Sequence, residues 1–273
     1  MITWRDRIRR TLLTGSAFLL FFQGGALLSY VVLPLARAGG GTSRQRASRC
    51  RRIVRGAFVL FHDYMRLTGL LDYNPRTQGL DLPAGPHVLI ANHPTLVDVT
   101  AIIAAGSDCA IIANTRYFRS PVVGPALRQC DHIEAGDGGG FAGAAAMEEA
   151  MERLAAGTPV LIFPEGTRSP RRALGKFRVG AFSIAARTGV PLVPLFITCE
   201  PPTLMRGQPW YEIPDRPPRM TVSRLPTIRA QGRDVTALAR DVEEAYRQRV
   251  SARRPAAERP RSPLPMAHPA RPC

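Results

Sequence analysis

Val88-Leu89-Ile90-Ala91-Asn92-His93-Pro94-Thr95-Leu96-Val97-Asp98 sets an apolar run directly ahead of a histidine, with a carboxylate five positions beyond it. An uninterrupted short apolar run reads as a strand buried on both faces, and such strands belong to parallel sheets covered by helices. His93 and Asp98 then fall beyond the strand's carboxyl end, where open α/β sheets gather their chemistry. If the loop curls back, the Asp98 carboxylate can accept a hydrogen bond from imidazole Nδ1 and leave Nε2 free as a base. Such a pair requires no serine or cysteine nucleophile, because it can deprotonate a hydroxyl on a bound acceptor and let that oxygen attack directly.

A second apolar run, Val160-Leu161-Ile162-Phe163, leads into Pro164-Glu165-Gly166-Thr167-Arg168-Ser169. Gly166 lets backbone approach a ligand, the Thr167 hydroxyl can donate to anionic oxygens, and the Arg168 guanidinium can grip a phosphate with two parallel hydrogen bonds. Further strands are expected near 109–113, 192–198 and 220–225. Helices are expected near 97–105, 142–155, 177–188 and 234–250. The alternation argues for an α/β fold with a central, mostly parallel sheet flanked by helices. Gly138, Gly140 and Gly143 match the spacing of a dinucleotide fingerprint, but Asp131 to Ala135 ahead of them makes a poor buried strand, so the reading is rejected.

Leu12 to Leu35 is apolar enough, and at ~36 Å as a helix long enough, to cross a bilayer. A signal peptide competes, since Arg5, Arg7, Arg9 and Arg10 precede the segment, but the run exceeds an ordinary signal core and more arginines follow it. The larger basic cluster, Arg37 to Arg55, comes after the segment and directs the rest of the chain to the cytoplasm. Gln23-Gly24-Gly25 at the midpoint leaves a re-entrant hairpin open beside a single span. The chain divides into an anchor with basic flanks at 1–55, an amphipathic membrane-proximal helix and linker at 56–84, a catalytic domain at 85–250 and an Arg/Pro-rich, disordered tail at 251–273. The net charge of +16, carried by arginine with Lys176 the only lysine, favours an anionic partner. Five scattered cysteines without a Cys-x-x-Cys pair suggest neither a disulfide framework nor a metal site, and they fit a reducing compartment.

Together these motifs resemble the glycerolipid acyltransferase family typified by lysophosphatidate (1-acylglycerol-3-phosphate) acyltransferases. His93 and Asp98 match its Asn-His-x4-Asp motif, Phe163 to Ser169 its Phe-Pro-Glu-Gly-Thr-Arg-Ser motif, and Gly189 to Pro194 its later Val-Pro block. The resemblance implies a membrane-bound enzyme on the cytoplasmic face, without metal or cofactor. It would transfer an acyl chain from acyl-CoA or acyl-carrier protein to a lysolipid hydroxyl. His93 and Asp98 would be catalytic, and Glu165, Gly166, Thr167 and Arg168 would bind the acceptor's anionic part. Lys176, Arg178 and Gly180 resemble the family's basic stretch after the glutamate motif. One block departs: between Thr115 and Asp137 the family's closing arginine is missing, and Glu134 and Asp137 stand there instead. That departure admits a non-phosphate acceptor, such as a lyso-ornithine lipid, or a membrane-tethered lipid- or nucleic-acid-binding protein without catalysis. No zinc-finger or interleaved aromatic pattern supports a nucleic-acid partner.

Overall fold

The protein was analysed as a computed structural model that describes residues 3–136, 140–171 and 173–253. Strands β1 (Val88–Ala91), β2 (Ala110–Ala113), β3 (Ile133–Glu134), β4 (Val160–Ile162), β5 (Leu192–Glu200) and β6 (Arg219–Arg224) form one sheet in the order β3-β2-β4-β1-β5-β6. The first five run parallel and β6 closes one edge antiparallel to β5. β1 lies between β4 and β5, with Val88 opposite Val160 on one side and Leu192 on the other. Its side chains divide between two cores: Val88 and Ile90 join one, Leu89 and Ala91 the other. This is the two-sided burial that a continuous apolar run requires.

Helices cover both faces. α3 (Ser43–Leu67) and α4 (Asp98–Ala104) contribute to the core on one side, while α7 (Gly140–Ala155), α8 (Gly180–Thr188) and α9 (Val235–Ala252) contribute to the other. α5 (Thr115–Phe118) and α6 (Gly124–Gln129) fill the crossover from β2 to β3. The main departure from the sequence expectation is β3, read there as a poor strand. Only two residues pair with β2, and the fully buried Ile133 supplies the anchor between the buried His132 and the exposed Glu134. So short an element leaves no periodicity to detect.

Ahead of the sheet, α1 (Trp4–Leu27), a π turn at Leu28–Val32 and α2 (Leu33–Ala38) form one continuous helix, long and apolar enough to cross a bilayer. Gly24 and Gly25 do not break it. Pro34 lacks a backbone donor, and the wider turn before it lets the Leu33 N–H reach the Leu28 carbonyl instead. Reversal comes later, at Gly39 to Gly41, where Thr42 and Gln45 form a capping box that starts α3. α3 returns antiparallel to α1: Leu33 packs with Cys50, Phe21 with Phe58 and Phe61, and Ser16 Oγ lies 2.6 Å from Tyr64 Oη. The amphipathic helix expected within 56–84 thus begins at Ser43, and its Val54, His62 and Met65 face inward onto the domain. Asp137, Gly138 and the tail from Arg254 lie outside the described residues.

Candidate active site

His93 leaves the end of β1 and is 17% exposed at its side chain, with Nδ1 2.8 Å from Asp98 Oδ2. Asp98 is fully buried at the first turn of α4, where two donors from Thr95 also hold it: the backbone N–H at 2.7 Å to Oδ2 and the hydroxyl at 2.5 Å to Oδ1. An ionised carboxylate only accepts, so the imidazole proton is assigned to Nδ1 and the Nε2 lone pair is left for chemistry. The Phe163 ring stacks on the imidazole at 4.3 Å and limits its rotation. Asn92 fixes the start of this loop by copying a strand partner, donating to the Ile197 carbonyl at 2.9 Å and accepting from its N–H at 2.8 Å.

The second motif meets the first through Glu165. Its Oε1 accepts from the His93 N–H at 3.0 Å and from the Ser169 hydroxyl at 2.7 Å, and its Oε2 accepts from the Gly175 N–H at 2.6 Å. The Ser169 N–H in turn donates to the His93 carbonyl at 2.7 Å. Glu165 is therefore buried and committed to holding the loops together, whereas the sequence reading grouped it with residues that touch the ligand. A side chain at position 175 would begin 2.6 Å from Glu165 Oε2, so only glycine fits there.

Gly166 and Thr167 face solvent, and Gly166 holds a φ of 68°, open only to a residue without Cβ strain. A side chain there would meet the Arg178 guanidinium at 3.0 Å, which places that cation over the exposed turn. Arg168 donates through one guanidinium nitrogen to the carbonyls of Leu204 and Met205, at 3.1 and 3.2 Å. Arg116, after β2, lies on the Tyr117 ring at 4.7 Å and donates to its hydroxyl at 2.8 Å. Lys176 is exposed, and Gly180 opens α8.

Neither nearby nucleophile is activated. The Ser169 hydroxyl is bonded to Glu165, and burial, with the Asp98 charge behind it, pushes the Cys199 thiol up to about 12. Cys199 lines a cavity of about 150 Å³ that also reaches Asn92, Pro94, Ser169, Phe196 and Met205. The other described cysteines, Cys50, Cys109 and Cys130, are free and buried. Among the described residues no group of histidine, cysteine and carboxylate side chains is placed to hold a metal ion. Sequence reasoning missed Thr95, although its spacing three residues before Asp98 is a helix-start signal. It missed the partnering of Asn92 with Ile197 and of Glu165 with the His93 N–H because these partners come from distant parts of the chain.

Residues 74–198 match the family model described as Acyltransferase. Over this segment, a little under half of the chain, the sequence is similar to acyltransferases. Within the acyltransferase segment it is 36% identical over 126 residues to a chloroplastic 1-acyl-sn-glycerol-3-phosphate acyltransferase of Brassica napus, a match covering 45% of this chain and 37% of that protein. A chloroplastic counterpart in Arabidopsis thaliana is 33% identical over 126 residues, covering 45% of this chain and 35% of that one. The chain thus spans little more than a third of the length of these relatives. The crystal structure of the 1-acyl-sn-glycerophosphate (LPA) acyltransferase PlsC from Thermotoga maritima superposes with a TM-score of 0.68 at 19% identity, covering 90% of this chain and 95% of that one. The shared fold is the α/β acyltransferase architecture with its N-terminal apolar helix.

Proposed function

We propose that the protein is a membrane-associated O-acyltransferase that moves a fatty acyl chain from acyl-CoA or acyl-carrier protein to a hydroxyl of a lysophospholipid such as 1-acylglycerol-3-phosphate. The observation that carries this reading is the His93–Asp98 pair at the end of β1, oriented with Nε2 uncommitted and tied by Glu165 to the exposed Gly166–Arg168 turn. His93 Nε2 takes the acceptor hydroxyl proton as the oxygen attacks the thioester carbonyl carbon. The carbon–sulfur bond then breaks, and the imidazolium returns the proton to the departing thiolate. Asp98 holds the ring and stabilises its charged form; Glu165 positions the base and the anion site relative to each other.

The acceptor phosphate is assigned to Gly166, Thr167 and Arg168, with Arg178 adding positive charge above the turn. Glu134, which argued for a non-phosphate acceptor, sits in β3. That strand is separated by β2 from β4, which leads into the Gly166–Arg168 turn; at ~4.8 Å per strand this is ~10 Å, just beyond the ~8 Å physiological screening length. The phosphate acceptor is therefore preferred over a lyso-ornithine lipid. Helix Trp4–Ala38 supports association with one leaflet: it bonds the domain near both ends, from Arg10 to the Pro214 carbonyl and from Arg37 to the Gln129 carbonyl. A span would carry those domain segments into the bilayer. The basic flanks direct the catalytic domain to the cytoplasmic side.

The test is acyl transfer by purified protein across lysophosphatidate, other lysolipids and lyso-aminolipids, with both donors. Lysophosphatidate should be preferred, and His93→Ala should lower turnover by ~10³-fold or more while leaving vesicle binding intact. Full turnover without His93 would remove it as the base, and salt-sensitive nucleic-acid binding that persists in that variant would support the non-catalytic alternative.

A further inference from the structure

Residues 201–218, between β5 and β6, take no part in the proposed chemistry, yet they touch both active-site loops and the apolar helix. At one end the Leu204 carbonyl accepts from the Leu96 N–H at 3.1 Å and from Arg168 at 3.1 Å, and the Met205 carbonyl accepts from Arg168 at 3.2 Å. One carbonyl thus holds the His93–Asp98 loop and the Gly166–Ser169 loop together. Leu204 itself adopts a φ of 51°, a left-handed conformation that leucine rarely takes, so its direction is imposed by its surroundings.

Those surroundings are stapled by Gln208. Its side-chain oxygen accepts from the Met205 N–H at 3.0 Å, its backbone N–H donates to the Met205 carbonyl at 3.1 Å, and its side-chain nitrogen donates to the Glu212 carbonyl at 3.1 Å. The staple encloses Trp210, whose indole lies edge-on to Phe18 at 6.1 Å and against Gly15 of α1. A Cβ at Gly15 would sit 3.7 Å from the nearest ring atom, so alanine would touch the indole and a larger side chain would displace it. Beyond Trp210, the buried Arg10 reaches the Pro214 carbonyl at 2.6 Å.

We propose that this loop couples the seating of helix α1 to the geometry of the active site, with Trp210 and Gln208 as positioning residues. Movement of α1 against the domain is passed through the indole and the Gln208 staple to Leu204 and Met205. Those two residues set the aim of Arg168 and the anchor of Leu96 together. Displacement of ~1 Å at such positions is enough to cost ~10²-fold in rate. The kinetic arm of the test rests on the acyl-transfer reading, so a second arm is independent of it.

Full-length wild type, Trp210→Ala, Trp210→Phe, Gly15→Leu and the Trp210→Ala/Gly15→Leu double variant are compared on vesicles of phosphatidylcholine and phosphatidylglycerol. Trp210→Ala and Gly15→Leu should each lower kcat at least ~10-fold and raise the acceptor KM, with unchanged vesicle binding. Trp210→Phe should restore turnover to within ~2-fold, and the double variant should be no worse than either single change. Amide hydrogen exchange at Leu96–Asp98 and Gly166–Ser169 should be faster in Trp210→Ala. Unchanged exchange there, with kcat and KM equal to wild type per bound molecule, overturns the coupling. If wild type transfers no acyl group, the acyl-transfer reading falls, while faster exchange still supports the coupling and unchanged exchange still overturns it.

Discussion

Glu165 concentrates the site's dependence on one buried side chain. Three donors converge on its two oxygens: the His93 N–H from the other loop, and the Ser169 hydroxyl and Gly175 N–H from its own. Glutamine has the same size, but its amide nitrogen would face a donor at one of these positions. A buried donor left unpaired costs ~1–3 kcal/mol. Glu165→Gln should therefore lower the thermal midpoint and kcat together, measured by calorimetry and by turnover on lysophosphatidate. A variant with wild-type rate and midpoint would show that the two loops hold their positions without it. A different dependence attaches to two histidines away from the site. Burial lowers His132 to about 3, with the charge of Arg51 adding to it, and burial lowers His62 to about 4. Both are neutral in the fold at pH 7, and the His132 Nδ1 must stay unprotonated to accept from the Ile111 N–H at 3.2 Å. In the unfolded chain each titrates near ~6.5. Their stabilising neutral state is present in full above that pH. Below it the unfolded chain binds protons that the fold refuses, so stability falls from pH ~6.5 toward 4 and then 3. His132→Asn keeps an acceptor near the Nδ1 position without titrating. The fall in thermal midpoint between pH 7.5 and 5 should be shallower in that variant, and an unchanged slope would show that His132 does not contribute to it.

Elements were legible in the sequence to the extent that their signals were local. Val88–Ala91 and Val160–Ile162 announced themselves because burial on both faces leaves an unbroken apolar run, and α9 because its apolar positions repeat at helical spacing behind the Asp234 cap. The histidine and aspartate could be paired on paper because a five-residue loop ending in a helix start has few ways to close. β3 was lost because two residues carry no period, and α3 was begun too late because its first turns are arginine-rich on the surface while Ala47 and Cys50 face inward. A hairpin at Gln23-Gly24-Gly25 was open beside a single span, but glycine weakens a helix by only ~1 kcal/mol per residue. The turn instead follows Ala38, where three consecutive glycines and the Thr42–Gln45 capping box end one helix and start the next. The position of Glu165 was illegible for a different reason. Only Ser169 among its three partners lies within the Phe-Pro-Glu-Gly-Thr-Arg-Ser string, and nothing in that string distinguishes a carboxylate that meets ligand from one that ties it to the distant His93 loop.

At the scale of the molecule, 37 basic residues stand against 21 acidic ones, and part of that excess flanks the apolar N-terminal helix. Trp4, Ile8, Leu12, Leu19 and Phe22 are exposed at helical spacing along α1, and Leu27, Val31 and Leu35 continue the exposed run through and beyond the π turn. Arginine is clustered at both ends of this run: Arg5, Arg7 and Arg9 at the start, and Arg44, Arg49 and Arg52 where α3 returns from the turn. A helix lying in the leaflet plane lets both clusters reach headgroups, whereas a spanning helix would send one of them to the opposite side. On the proposed one-leaflet reading, two forces of different salt dependence would bind the protein. The basic clusters contribute ~1 kcal/mol per residue near an anionic surface, and that contribution decays as the screening length shortens from ~10 Å at 0.1 M salt to ~3 Å at 1 M. The inserted apolar run does not weaken with salt. In vesicle sedimentation the protein should prefer phosphatidylglycerol-containing over pure phosphatidylcholine vesicles at low salt, lose most of that preference by 1 M, and remain bound to both. Release from both at high salt would show that the apolar run does not insert, and would leave the arginines as the sole attachment. A preference that survives 1 M salt would instead require a structured site for the anionic headgroup, because screened surface charge cannot sustain it.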